Sequence, residues 1–209
     1  TVDAGNRFIR PQRISPLFLV FHGYAVLERP SMPVVAREGG LPNDSYLEQL
    51  EANARAAIGK LTEMGVADPA RIAIGGHSYG AFTAANLVAH TDLFRAAIAL
   101  SGAYNRSLTP FGFQAEERTY WQAPDLYHRM SPFSAADRIE APILIVHGGD
   151  DENAGTHPLQ SQRFFAALKA LGARARYVEL PHEGHGFRAR ESILHILAEE
   201  AEWLDRHLR

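Results

Sequence analysis

The 209-residue sequence contains no cysteine. Disulfides, thiolate nucleophiles and Cys-ligated metal sites are therefore excluded. No apolar run approaches the roughly 20 residues that a membrane-spanning helix needs. Neither sign of charge is in excess. Lys and Arg number 21 against 24 Asp and Glu, and the formal net charge of -3 offers nothing to nucleic acid or an anionic membrane. The first residues, TVDAGNRFIRPQR, lack the apolar core of a signal peptide, so the expected compartment is the cytoplasm. They also lack an initiator Met, and the expectation is a chain processed or cut from something longer. Internal repeats, low-complexity tracts and flexible linkers are missing too. What remains is an ordinary globular composition, long enough for one core and too short for two comfortable domains.

The stretch around which the rest is arranged is Arg71 to Ala85, RIAIGGHSYGAFTAA. It reads as a short strand over Arg71–Gly75, a tight turn, and a helix from Ala81. Gly76-His77-Ser78-Tyr79-Gly80 fits G-x-S-x-G. A strand that turns straight into a helix holds its serine in a strained conformation, exposed at a helix N-terminus. Side chains at 76 and 80 are expected to collide with neighbouring backbone. The N–H of Tyr79 is placed to face a developing oxyanion. Without chemistry, the same stretch is a Gly-rich strand-to-helix connection.

Upstream, SPLFLVFHG reads either as a strand or as a helix with Ser15 as N-cap, Pro16 at N1 and Gly23 as the stop. The helix is preferred, because Tyr24–Leu27 follows at once as a strand and two strands cannot be joined across Gly23 alone. Residues 28–41 are loop. Asn43 or Asp44 caps a helix to about Met64, with Leu47, Leu50, Ala54, Ala57, Ile58 and Leu61 at helical spacing. Helix Ala81–His90 and strand Ala96–Leu100 come next. Residues 104–136 show no clean period, but their aromatic residues suit a covering loop. Strand Ile143–His147, helix Pro158–Leu171, strand Ala175–Leu180 and helix Arg190–Leu208 complete the chain. This alternation predicts an α/β fold: a mainly parallel sheet with helices on both faces.

In an open α/β sheet, chemistry gathers at the carboxyl ends of the strands. After the strand Ile143–Val146 comes HGGDDE, and after the strand Ala175–Leu180 PHEGHGF. Serine, aspartate and histidine thus follow in the α/β-hydrolase order, as nucleophile, orienting acid and base. Asp150 competes with Asp151, and the usual H-G-x-x-D spacing of that fold selects Asp151. His182 competes with His185, which the flanking glycines favour. His147 is expected to pack at the strand end and His77 to support the elbow. His182, His185 and Glu183 lack a third evident ligand or a helix, so no metal is expected. The chemistry calls for no cofactor.

GGHSYGAF, HGGDDEN and PHEGHGF resemble signatures of the prolyl oligopeptidase family of serine peptidases. GYAVLERPSMPVV, SGAYNRSLTPFGFQAEERTYW, NAGTHPLQSQRFFAALKALGA and PHEGHGFRARES are similar to its glutamyl-endopeptidase branch. The resemblance covers nearly the whole chain. It implies an α/β-hydrolase catalytic domain over residues 1–209, with Ser78 as nucleophile, Asp151 as acid, His185 as base and the Tyr79 N–H as oxyanion donor. It implies a peptide substrate cleaved after acidic residues, Glu above all. Arg106, beside Tyr104 and Asn105, is the candidate for the Glu side chain, with Arg118 and Arg188 as rivals; any of these is alternatively a surface arginine. The family's β-propeller and first three hydrolase strands have no counterpart here. The resemblance therefore makes the N-terminal part of the same polypeptide the expected partner, and an incomplete sheet the expected fold. A compact carboxylesterase and a non-catalytic fragment completing a larger assembly are the alternatives.

Overall fold

The computed structural model describes residues 14–209; the irregular stretch expected at the N-terminus lies, Ile14 aside, outside them. Four parallel strands form one sheet in the order β1 (Ala73–His77), β2 (Ala96–Leu100), β3 (Ile143–Gly148), β4 (Ala175–Leu180). The register pairs Gly76 with Ala99, Leu100 with Val146 and Gly148 with Leu180, so all four carboxyl ends lie on one side. β2 and β3 are buried along their whole length, as parallel strands covered on both faces are.

Alternate side chains of these strands feed two cores. Ala97, Ala99, Ile143 and Ile145 face α1 (Tyr46–Glu63), α2 (Tyr79–His90) and α4 (Leu159–Ala170), where Phe82, Phe164 and Leu168 fill the space. Ala96, Ile98, Leu100, Leu144 and Val146 face α5 (Arg190–Leu208), through Ile196, Trp203, Leu204 and Leu208. The alanines of β2 let α2 lie close against the sheet. A short α3 spans Pro124–Arg129. The stretch that showed no period consists of this helix, 3-10 turns at Arg106–Leu108 and Pro132–Arg138, and loop. Its rings are mostly packed inward, except Phe111 and Trp121, which lean on each other in the open.

Pro16–His22 is helical, as a 3-10 helix. The Ser15 hydroxyl accepts the Leu17 N–H, and Gly23 ends the helix in the left-handed region at φ 83°. The strand expected at Tyr24–Leu27 does not form. A strand needs a ladder, and no described segment offers one to these residues. Instead, Tyr24 and Val26 pack on the α5 side, and the Tyr24 hydroxyl donates to Asp205. Among the described residues β1 is simply an edge strand, half-exposed. The strand into the elbow also runs two residues later than expected. Gly76 and His77 stay on the ladder opposite Ala99 and Leu100, and the turn is made at Ser78 alone.

Candidate active site

Ser78 sits between β1 and α2 with φ 58° and ψ −114°, a conformation rarely tolerated outside glycine. Two backbone bonds hold it there: its N–H donates to the Leu100 carbonyl at 2.8 Å, and its carbonyl accepts the Phe82 N–H at 3.1 Å. A Cβ at Gly76 would lie 2.6 Å from the Gly80 carbonyl carbon, so only glycine fits there. Gly80 differs from expectation. A Cβ on it meets nothing within 4 Å, because it points out of the elbow. Tyr79 is the first residue of α2, so its N–H has no acceptor within the helix.

His185 brings its Nε2 to 2.9 Å from the Ser78 hydroxyl and its Nδ1 to 2.9 Å from Asp151 Oδ2. The loop carrying it seats directly on the end of β3. The Glu183 carbonyl approaches Gly148 so closely that no side chain fits there, and it accepts the Asp150 N–H at 2.9 Å. The Glu183 carboxylate in turn accepts the N–H groups of Arg188 and Ala189. The competing residues point away: His182 and Asp150 are both exposed, 4.0 Å from each other. From beneath, the His77 Nε2–H donates to the His185 carbonyl at 2.6 Å.

Asp151 is 2% exposed. Burial alone raises its carboxyl, but the His185 hydrogen bond and the Asn153 N–H, at 2.9 Å, outweigh it and hold the group below the usual carboxylate range. The Thr156 hydroxyl adds a bond to Oδ2 at 3.1 Å and lies 2.9 Å from His185 Nδ1. His147 does more than pack at the strand end. Its Nε2 lies 3.0 Å from Asp151 Oδ2 and its Nδ1 2.6 Å from the Ser161 hydroxyl. Neither Thr156 nor the role of His147 was foreseen. The run Asn153–Thr156 carries the Asx-turn residues that bend a loop back on its own aspartate, the one signal available.

Beside Ser78 opens a cleft of about 440 Å³, lined by Tyr79, Arg106, Phe111, Phe113, Asn153 and Thr156 among others. Of the three residues singled out for the substrate, the cleft receives Arg106 alone. The Tyr104 side chain is buried in the core, stacked on Phe164 at 4.5 Å. The Asn105 side chain accepts the Ser107 N–H and caps the turn that carries Arg106. Gln160, from α4, accepts the N–H groups of both Tyr104 and Asn105 and donates back to the Asn105 carbonyl. The Arg106 N–H donates to Ser131. The guanidinium is thereby fixed 3.9 Å above Phe82 and 4.3 Å from Phe113, 3% exposed, with its Nε unpartnered. Burial lowers its pKa to about 10, still a cation at neutral pH. Arg118 is taken up by Asp44 and Glu116, and Arg188 does not line the cleft. Among the described residues, no group of three side chains is placed to hold a metal, and no helix is long and apolar enough to cross a membrane.

Residues 52–209 match the sequence profile of the prolyl oligopeptidase family. The chain is 51% identical, over 97% of its length, to a probable chloroplastic glutamyl endopeptidase of Arabidopsis thaliana, and 52% identical to its counterpart in Oryza sativa subsp. japonica. It spans 21% and 22% of those relatives, about a fifth of their length. Among solved structures it resembles a puromycin-hydrolyzing peptidase of Mycobacterium tuberculosis. The TM-score is 0.67 at 30% identity, over 75% of this chain and 25% of that one.

Proposed function

This chain belongs to the prolyl oligopeptidase family of serine peptidases, and on that premise we propose that it is the catalytic part of a longer peptidase that cleaves peptide bonds after glutamate. The observation that carries the reading is the unbroken hydrogen-bonded run from Ser78 through His185 to Asp151, 2.9 Å at both steps. His185 Nε2 takes the hydroxyl proton as Ser78 Oγ attacks the scissile carbonyl. Asp151 holds the ring with its other nitrogen protonated and stabilises the imidazolium. The Tyr79 N–H receives the oxyanion at the positive end of α2. His185 then protonates the leaving amine, and a water deprotonated by the same nitrogen releases the acyl group.

Arg106 supplies the preference. A buried guanidinium with an unpartnered Nε and no carboxylate partner among the described residues carries a desolvation cost that the Phe82 and Phe113 rings offset only in part. A glutamate side chain entering the cleft offsets that cost. The domain spans this chain together with the N-terminal part of the same polypeptide, which pairs with the open edge of β1.

The test is fluorophosphonate labelling followed by peptide mapping, then peptide hydrolysis with Glu, Gln or Lys before the scissile bond. Adduct on Ser78 is expected, and Arg106→Ala should lower kcat/KM for the Glu peptide by on the order of tenfold to a hundredfold. Turnover of small acyl esters with no peptide cleavage would replace peptidase with esterase. An unchanged Glu preference in Arg106→Ala would remove Arg106 from the pocket.

A further inference from the structure

We propose that His147 is a positioning residue for the base: it shares the charge of Asp151 with His185 and fixes the carboxylate that aims His185 at Ser78. The inference rests on the Ser78–His185–Asp151 reading above.

The proton positions on His147 follow from its partners. The Asp151 carboxylate can only accept, so His147 Nε2 carries the hydrogen across the 3.0 Å contact. The ring is fully buried, and burial holds its pKa below the usual range against the pull of Asp151, so it stays neutral. Nδ1 of a neutral ring protonated at Nε2 must accept, and the Ser161 hydroxyl donates to it at 2.6 Å. Two donor runs thus converge on Asp151: Ser161 to His147 to Asp151, and Ser78 to His185 to Asp151. No proton is exchanged with His147.

Asp151 Oδ2 therefore serves two imidazoles and the Thr156 hydroxyl at once. Each donor withdraws charge from the oxygen that stabilises imidazolium at His185. The bond from His147 weakens that stabilisation. It also fixes the carboxylate plane, which fixes the ring that reaches Ser78. The titratable groups facing His147 are Asp151 on the loop after β3, His185 from the loop after β4, and Glu179 on β4. Those facing His185 are Asp151, His147 and, from β1, His77.

The experiment measures the pH dependence of kcat/KM in the full-length gene product for His147→Leu, His147→Gln, Ser161→Ala and His185→Ala. The acid limb reports protonation of the base in the free enzyme. In His147→Leu, Asp151 loses a competing donor, so the limb should move up by about half to one pH unit, with a roughly tenfold fall in kcat/KM. His147→Gln offers an amide N–H in the same place and should return the limb towards the wild-type position. Ser161→Ala weakens the same donation and should shift the limb in the same direction by less, which carries the test if His147→Leu does not fold. An acid limb unmoved in folded His147→Leu, or in Ser161→Ala if that variant alone folds, would overturn the role of His147 while inactive His185→Ala left the triad standing. Full activity in His185→Ala would overturn both.

Discussion

A Cβ at Gly76 would stand 2.6 Å from the Gly80 carbonyl carbon and 2.8 Å from its oxygen, whereas one at Gly80 meets open space. The two glycines of the same motif thus answer to different constraints. Backbone cannot rotate out of the way as a side chain can, so Gly76→Ala must push α2 off β1 or tilt the elbow. A loss of at least about 2 kcal/mol is expected, with slowed fluorophosphonate labelling of Ser78. Gly80→Ala should leave stability unchanged or raise it by up to about 1 kcal/mol, read from thermal unfolding, because alanine suits a helix better. Equal destabilisation of both variants would contradict this account. At this scale the sequence told which residues would meet, because Ser78, Asp151 and His185 each follow a strand whose end lies on one side of the sheet. It could not tell that Gly80 is spatially free, nor that His147 and Ser161 would join Asp151. The Ser161–His147 contact depends on the distance between β3 and α4, which no local pattern encodes.

The element that shapes the cleft is the loop from Thr109 to Arg118. Gly112 and Phe113 pinch against Glu116, whose carbonyl accepts the Phe113 N–H at 3.0 Å. The buried Glu116 carboxylate is the anchor. It accepts from Arg118 at 2.6 and 2.8 Å and from Asn43, ahead of α1, at 3.2 Å, while Arg118 also meets Asp44. The Arg118 bonds hold the Glu116 pKa below the usual range despite its burial. Cutting this anchor frees the wall that presses Phe113 on Arg106 without touching Ser78 or His185. Glu116→Ala should therefore raise KM for a Glu peptide severalfold and leave kcat within about twofold, a split that steady-state kinetics measures directly. A fall in kcat alone would place the loop elsewhere in the cycle. The sequence showed this region as aromatic and aperiodic, and periodicity had nothing more to give. Its order comes from Glu116, which takes the distant Asn43 side chain, and from Gln160 and Ser131, which bind backbone far along the chain. Helices α1, α2, α4 and α5 and strands β2 to β4 needed no such ties, and their hydrophobic spacing sufficed. Tyr24–Leu27 has the composition of a strand and lacks only a neighbour.

For the molecule as a whole, α5 closes the second face of the sheet, and it does so with a carboxyl group inside. Glu200 is 5% exposed, its Oε2 has no hydrogen-bond partner, and burial alone raises its pKa from 4.5 to about 8. Below pH 4.5 the folded and unfolded states both keep this proton, and the group makes no pH-dependent contribution. Between 4.5 and about 8 the unfolded chain releases it and the folded chain does not, so unfolding gains as pH rises. The slope reaches at most about 1.4 kcal/mol per pH unit and ends once the folded state also ionises. Asp151 works in the opposite sense, because its lowered pKa favours the folded state as pH rises through the carboxylate range. The two effects separate by pH window: Asp151 acts in acid, Glu200 from weak acid to weak base. Thermal unfolding followed from pH 5 to 9 should show a falling midpoint in the wild type. Glu200→Gln, which cannot ionise, should flatten that fall while leaving the acid side unchanged. Parallel curves for the two proteins would mean that Glu200 is ionised in the fold and finds a partner there. The carboxyl is held neutral by no single contact. It is held by the packing of a whole helix against a whole sheet.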